Sequence, residues 1–353
     1  MRRFSFYLFE DFDPDREAGN SLNPRRVLTE ALNGALDAVA AGCSWEALCG
    51  RWGEEAVERA VACGVLRKEG RAARFDAPVF LEEDAARLTA VCQREAEELT
   101  NRLSVGWKAL VRLADSLENG FDASVNLYHL VCGVVLDGAL FDALCEAGVV
   151  ATSRPHPSGL SYIAVAYERC EALDGLSRRL LCSWNRAIGE TCVLQSFGDA
   201  DGDRFDPYRW YRMKESGRID GDMPEKEKLT REARRLIETG SCAEDCLRAL
   251  TVFGYAKDGR MAVPVYGPGD AAVMDEVARI VREVILEEVA ALLRQGVREI
   301  TPERHGVNRA ETANELYHLL FGHINEALVR RGMVATPQKR PGEGRYLQSV
   351  QLI

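Results

Sequence analysis

Apolar residues recur at three- and four-residue steps along most of the chain, and short alternating runs interrupt them. Val27 to Ala40 reads as an amphipathic helix, Ser44 as the N-cap of a short second one, and Glu54 to Ala62 as a third that stops at Gly64. A strand at Val65-Leu66, a basic turn from Arg67 to Arg71 and a strand from Ala73 to Phe80 follow, with Pro78 suited to a sheet edge. A long helix over Glu82–Leu103 comes next, then helices at Val105–Leu117, Leu127–Val135 and Leu140–Glu146. Val149 to Ala151, the turn Ser153 to Gly159 and a strand from Leu160 to Tyr167 complete this stretch.

The same order returns further on. Arg74-Phe75-Asp76-Ala77-Pro78-Val79-Phe80 with Asp84-Ala85-Ala86 reappears as Arg260-Met261-Ala262-Val263-Pro264-Val265-Tyr266 with Asp270-Ala271-Ala272, at one constant offset. Leu127-Tyr128-His129-Leu130 returns as Leu316-Tyr317-His318-Leu319, and Gly148-Val149-Val150-Ala151-Thr152 as Gly332-Met333-Val334-Ala335-Thr336. Chance rarely keeps register in this way, so residues 28–168 and 229–353 read as two copies of one module. Residues 1–27 then form an N-terminal strand-like segment, and 169–228 an insert without a counterpart. In that insert Leu176–Ile188 reads as helical and Asp199–Tyr211 as turn and loop, with Phe4–Phe9 expected to dock against it.

Three helices closed by a two-stranded basic hairpin resemble the winged-helix, or helix-turn-helix, superfamily. The resemblance is one of element order and wing chemistry. It implies a mainly α fold with small β wings, in the α+β class, with two winged units per copy and four in all. The joining helices, Glu82–Leu103 and about Gly269–Leu293, exceed the average globular helix of about 11 residues. Met274, Val277, Val281, Ile285, Val289 and Leu292 form a stripe on the second, and Leu88, Val91, Cys92, Leu99 and Leu103 form its counterpart on the first. Packing the two stripes together within one chain would cover both; a homodimer is the other way to do so.

Composition narrows the class. The formal net charge of −10 argues against indiscriminate coating of nucleic acid. The run lacks the roughly 20 apolar residues of a membrane span, and an N-terminus bearing Glu10, Asp11 and Asp13 does not read as a signal peptide, so the expected compartment is the cytoplasm and no membrane partner is expected. Eleven scattered cysteines in helical surroundings suit buried apolar residues under reducing conditions. Cys242 and Cys246 fall short of a zinc spacing, and Asp199, Asp201 and Asp203 open a calcium-like loop that Arg204 and Trp210 spoil. Glu315-Leu316-Tyr317-His318 has di-metal spacing, but copy one holds Asn126 where the second carboxylate belongs. No metal or cofactor is expected.

Candidate binding residues cluster on the wings. Arg67, Lys68, Arg71 and Arg74 surround Glu69 in the first, while Lys339, Arg340 and Arg345 line the last, with Arg330 and Arg331 just before it. Cations on a wing beside a groove-reading helix are a device for gripping phosphates, which implies a double-stranded DNA partner and a transcription regulator. Against this, the first unit's third helix carries Glu54, Glu55 and Glu58 beside one Arg59. A non-enzymatic scaffold with a protein partner is the second reading. A small-molecule sensor with a pocket around Trp184, Phe197, Tyr208, Trp210 and Tyr211 is the third. His129 and His318 read as packed core histidines, and His305 and His323, specific to copy two, as residues of a solvated helix face, with a phosphate or partner contact as the alternative. No nucleophile, base and orienting group assemble from sequence, so no catalytic residue is named and an enzyme is not expected.

Overall fold

A computed structural model describes residues 1–10, 12, 17, 19–177, 180–200, 210, 213–215, 217, 219–340 and 344–353. Helices and small sheets are mixed, as in the α+β class. The first half runs β1 (Phe4–Glu10), α1 (Asn33–Ala40), α2 (Trp45–Trp52), α3 (Glu54–Ala62), β2 (Leu66–Glu69), β3 (Ala72–Phe75) and β4 (Val79–Phe80). Then come α4 (Glu82–Asp115), α5 (Ala123–Leu127), a π-helical stretch Tyr128–Ala139, α6 (Leu140–Glu146), β5 (Arg154–Pro155), β6 (Ser161–Glu168) and α7 (Glu171–Ser177). The second half runs β7 (Leu181–Ile188), β8 (Cys192–Asp199), α8 (Lys226–Thr239), α9 (Glu244–Val252), β9 (Ala256–Lys257), β10 (Arg260–Met261) and β11 (Val265–Tyr266). It ends with α10 (Ala271–Gln295), α11 (Thr301–Arg304), α12 (Arg309–Arg330), β12 (Lys339–Arg340) and β13 (Gly344–Leu352).

Two units emerge. The first is residues 1–95, 142–177 and 287–320; the second is 96–141, 178–286 and 321–353. In the first, Ser44 caps α2 by accepting the Ala47 amide at 3.1 Å, and α3 ends where Gly64 turns back at φ 65°. A side chain at Gly64 would collide with His156 and Arg154. The apolar faces of the helices, Leu36, Val39, Leu48, Val57 and Ala60, close over Phe75, Val79 and Tyr162 in one core. Behind them β6 is the middle strand of a sheet, with β1 antiparallel on it and β4 parallel to it.

In the second unit β13 is central, with β8 antiparallel on it, β11 parallel to it and β7 outside β8. Leu194 and Val350 pack with Leu229, Ala233, Leu250, Phe253 and Tyr255 of the neighbouring helices and turn. The α10 stripe is interior: Val277, Val281, Ile285 and Val289 are fully buried, and so are Leu88, Cys92, Ala96, Leu99 and Leu103 along α4.

Several expectations change. Leu181–Ile188 is a strand, not part of a helix, because its backbone pairs antiparallel with β8 from Leu181–Asp199 to Ile188–Val193, with a bulge after Leu181. Phe4–Phe9 docks on β6 rather than on the insert. The α4 helix continues to Asp115, without a break at Leu103. Gly106 costs such a helix about 1 kcal/mol relative to alanine, yet the helix runs on through it, with Ile280 beside that position. The two helices expected between Leu127 and Glu146 are one helical run with a π-helical centre. That run, Ala123–Glu146, is long and apolar enough to cross a membrane, which the count of consecutive apolar residues overlooked; 61% of its most apolar window is buried inside the protein, as in a core helix.

Three successive helices closed by a hairpin are seen, among the described residues, at 33–75. In copy two the short link Gly240–Ala243 joins α8 directly to α9, leaving no room for a counterpart of α2.

Candidate functional site

Most of the nine wing cations are engaged within the chain. The Arg67 guanidinium donates to the His305 carbonyl and lies 3.5 Å from both Glu69 and Asp76. Arg74 donates to Glu69 at 2.9 Å, and these two arginines, Arg74 first, hold the Glu69 carboxyl below its ordinary range. Arg330 and Arg331 both donate to Glu97, and Arg331 also reaches Asn101. Arg345 is taken up by Asp199, at 2.9 Å, and by Glu326, at 2.5 Å. Lys68 sits over the Trp45 ring at 5.9 Å, while Arg71 and Lys339 are exposed. The Arg340 side chain lies outside the described residues. Phosphate contacts by Arg67, Arg74, Arg330, Arg331 or Arg345 would have to displace carboxylates already in place.

Among the described residues, the aromatic side chains of the insert are packed or hydrogen-bonded within the chain. Phe197 is buried against Tyr128 with ring centroids 5.6 Å apart, and Trp210 is buried against Phe253 with its indole N–H on the Gly221 carbonyl. Trp184 donates to Gln195 at 3.2 Å and stacks under Arg186. Tyr208 and Tyr211 lie outside the described residues. Phe197 and Trp210 belong to the core because a two-strand addition to the sheet needs apolar cover on both faces.

Burial lowers the pKa of the histidines. Burial pushes His129 down to about 3 and His318 to about 4, and the His318 Nδ1–H donates to the Asn314 carbonyl at 2.9 Å. His305 accepts the Phe75 amide at 3.1 Å, so it holds the first hairpin rather than a phosphate. Burial, helped by Arg74, Arg304 and Arg67, lowers its pKa to about 4.

The first half of α12 carries a polar set whose partners the sequence did not reveal. Tyr167 of β6 donates its hydroxyl to Glu315, which is completely buried, and burial raises that carboxyl to about 8. One turn earlier, Glu311 lies 3.3 Å from Arg154, and Arg154 also bonds Asp76 at 2.9 Å. Burial lifts Glu311 to about 7 against the pull of Arg154. The hollow beside this helix is lined by Arg309, Thr312 and Leu316, its other face. A catalytic acid must meet its substrate, and these carboxyls face the protein interior, so the set holds α12 to β6.

A different hollow, of about 230 Å³, opens on the three-helix unit. Val27, Leu32, Ala35, Trp52, Ala56 and Val57 supply its apolar wall, and Arg26 and Arg59 line it as well. Gly34 lets Trp52 approach α1, since a Cβ there would lie 3.0 Å from the indole nitrogen, and Arg51 stacks on the Trp52 ring at 4.6 Å. Sequence reasoning missed this site because its wall is assembled from residues of separate segments. The signal was the glycine on α1 facing a tryptophan at the end of α2.

Protein-family models, curated proteins and solved structures give no match to this chain.

Proposed function

We propose that the chain is a non-enzymatic binding protein that docks a segment of a protein partner on a winged-helix unit formed by residues 33–75. The hollow between the segment 26–32 and the helices α1, α2 and α3 carries this reading. At about 230 Å³ it is smaller than the roughly 300–1,000 Å³ of small-molecule sites, and it suits one apolar anchor side chain of a peptide. Arg26 and Arg59 in its lining favour a carboxylate beside that anchor. It also draws on α2, the helix that copy two lacks, and duplicated modules specialise where they differ. Cations and carboxylates balance between residues 24 and 76, eight of each, which gives a duplex nothing to hold at long range.

Ala56 is exposed on α3 and lines the hollow, so Ala56→Arg should fill it while changing stability by no more than about 0.5 kcal/mol. A displayed library of short peptides with one leucine or phenylalanine flanked by aspartates should yield binders to the wild type that lose at least tenfold in affinity on Ala56→Arg. Equal binding to both proteins would refute the hollow as the site.

The second reading, a regulator gripping double-stranded DNA, is favoured by the exposed Arg71 on the first hairpin and Lys339 on the last. It predicts a gel shift with genomic fragments at low salt that weakens for Lys68→Ala with Arg71→Ala. The docking reading predicts none.

A further inference from the structure

The sheet registers extend the repeat beyond the segments that sequence similarity marks. In the first unit the Pro78 carbonyl accepts the Ala166 amide at 3.0 Å and Val79 pairs with Ala166 in parallel. In the second the Pro264 carbonyl accepts the Val350 amide at 2.9 Å and Val265 pairs with Val350 in parallel. Ala166 and Val350 therefore hold the same place. On its other side Ala166 faces Phe6 of β1, and Val350 faces Leu194 of β8, both antiparallel. Thus β8 is the counterpart of β1, although it was read as part of an unrepeated insert. Phe12-Asp13-Pro14 after β1 and Phe205-Asp206-Pro207 after β8 carry the same correspondence into the sequence that follows. The turns after α3 and α9 agree too: the Val65 amide reaches the Ala60 carbonyl at 3.0 Å, and the Tyr255 amide the Leu250 carbonyl at 2.8 Å.

With copies running from residue 1 to about 177 and from about 180 to 353, neither unit is built from one copy. The first unit takes residues 287–320 from copy two, and the second takes 96–141 from copy one. The exchanged pieces are core and hydrogen-bonded. In the first unit Val307 joins the core of α1, α3 and β6, the Asp84 carboxylate accepts the Thr301 amide at 2.9 Å, and Asn314 donates to the Ala151 carbonyl at 2.6 Å. In the second, Tyr128 donates to the Phe197 carbonyl at 3.2 Å, Tyr266 to Asn126 at 3.1 Å, and the Ala335 amide to Ser124 at 2.9 Å.

We infer that each copy is an interaction partner for the other, completed only by the helices it receives, so that the module is in essence an interlaced dimer whose protomers have been fused. The occupant of each copy's exposed half-core is the second copy of the same module. The covalent link at residues 178–179 is then dispensable for holding the chain together.

The test is a full-length chain with a site-specific protease sequence inserted between Arg178 and Arg179, cleaved after folding. The two fragments should co-elute from gel filtration as one species at the volume of the uncut chain, keep its helical circular dichroism, and part only in denaturant. Two separate peaks in native buffer would overturn the inference. Should the insertion itself prevent folding, residues 1–178 and 179–353 co-expressed as two chains give the same two outcomes.

Discussion

Val281→Asp should lower the melting temperature by about 8–16 °C or abolish folding of the second unit. Val281 is completely inaccessible on α10, between Val277 and Ile285. Removing its side chain from the interior forfeits about 1.5–3 kcal/mol, and an aspartate there has no ion partner on the buried stripe, adding a cost of at least about 1–3 kcal/mol even when it protonates. A loss near 4 kcal/mol is a large share of a typical 5–15 kcal/mol total. At about 2–4 °C per kcal/mol it gives the stated shift. Arg282→Asp, one position along and exposed, should change little. Hydrogen exchange resolves the consequence further: Val281→Asp should loosen the second unit, whereas Val289→Asp, on the same helix but within 287–320, should loosen the first. Equal loosening of both units by either change would contradict the division of α10 between them.

A second large effect lies in pH dependence. Glu315 and Glu311 have folded pKa values of about 8 and about 7, above the ordinary 4.5. Their raised values mean that the folded state keeps protons the unfolded state releases, so stability is full below about pH 4.5 and is lost as pH rises to about 8. His129, at about 3, and His318 and His305, at about 4, lie below the ordinary 6.5. Their contribution is full above pH 6.5 and is lost as pH falls toward 4. Between 4.5 and 6.5 the three histidines outweigh the two glutamates, so the melting temperature should peak near pH 6.5 and fall on both sides. Each group changes stability by about 1.4 kcal/mol per pH unit within its own interval. Glu315→Gln keeps an acceptor for the Tyr167 hydroxyl and removes the ionisation. Melts at pH 8 should show the variant more stable than wild type by about 3–5 kcal/mol, with little difference at pH 5. A wild type whose melting temperature rises from pH 6.5 to 8.5, or a variant with an unchanged alkaline slope, would show that Glu315 is ionised in the fold.

The local features were legible because their causes are local. Ser44 before an apolar-periodic run, Gly64 after one, and Pro78 beside a two-residue strand act within a few positions of themselves. The α10 stripe was legible for the same reason, since helical spacing alone places Val277, Val281, Ile285 and Val289 on one face. What the sequence hid depends on distant partners. The strand β7 looks helical until β8 lies beside it, and the seven residues of β1 carry no mark of a partner strand 160 positions away, in the register Phe6 to Ala166. Arg345 reads as a wing cation until Asp199 and Glu326 are beside it. The buried Glu315 was visible as a Glu-x-x-His pair, but its bond to Tyr167 was not. The hollow depends on three helices at once, so no single window of sequence contains it.

The docking site is tested most directly by amide hydrogen exchange of the whole chain with and without a selected aspartate-flanked peptide. Slowed exchange confined to residues 26–35 and 52–60, and absent in Ala56→Arg, is the result expected. Protection centred on the hairpin 66–75 or in the second unit, or the same protection in Ala56→Arg, would contradict the account.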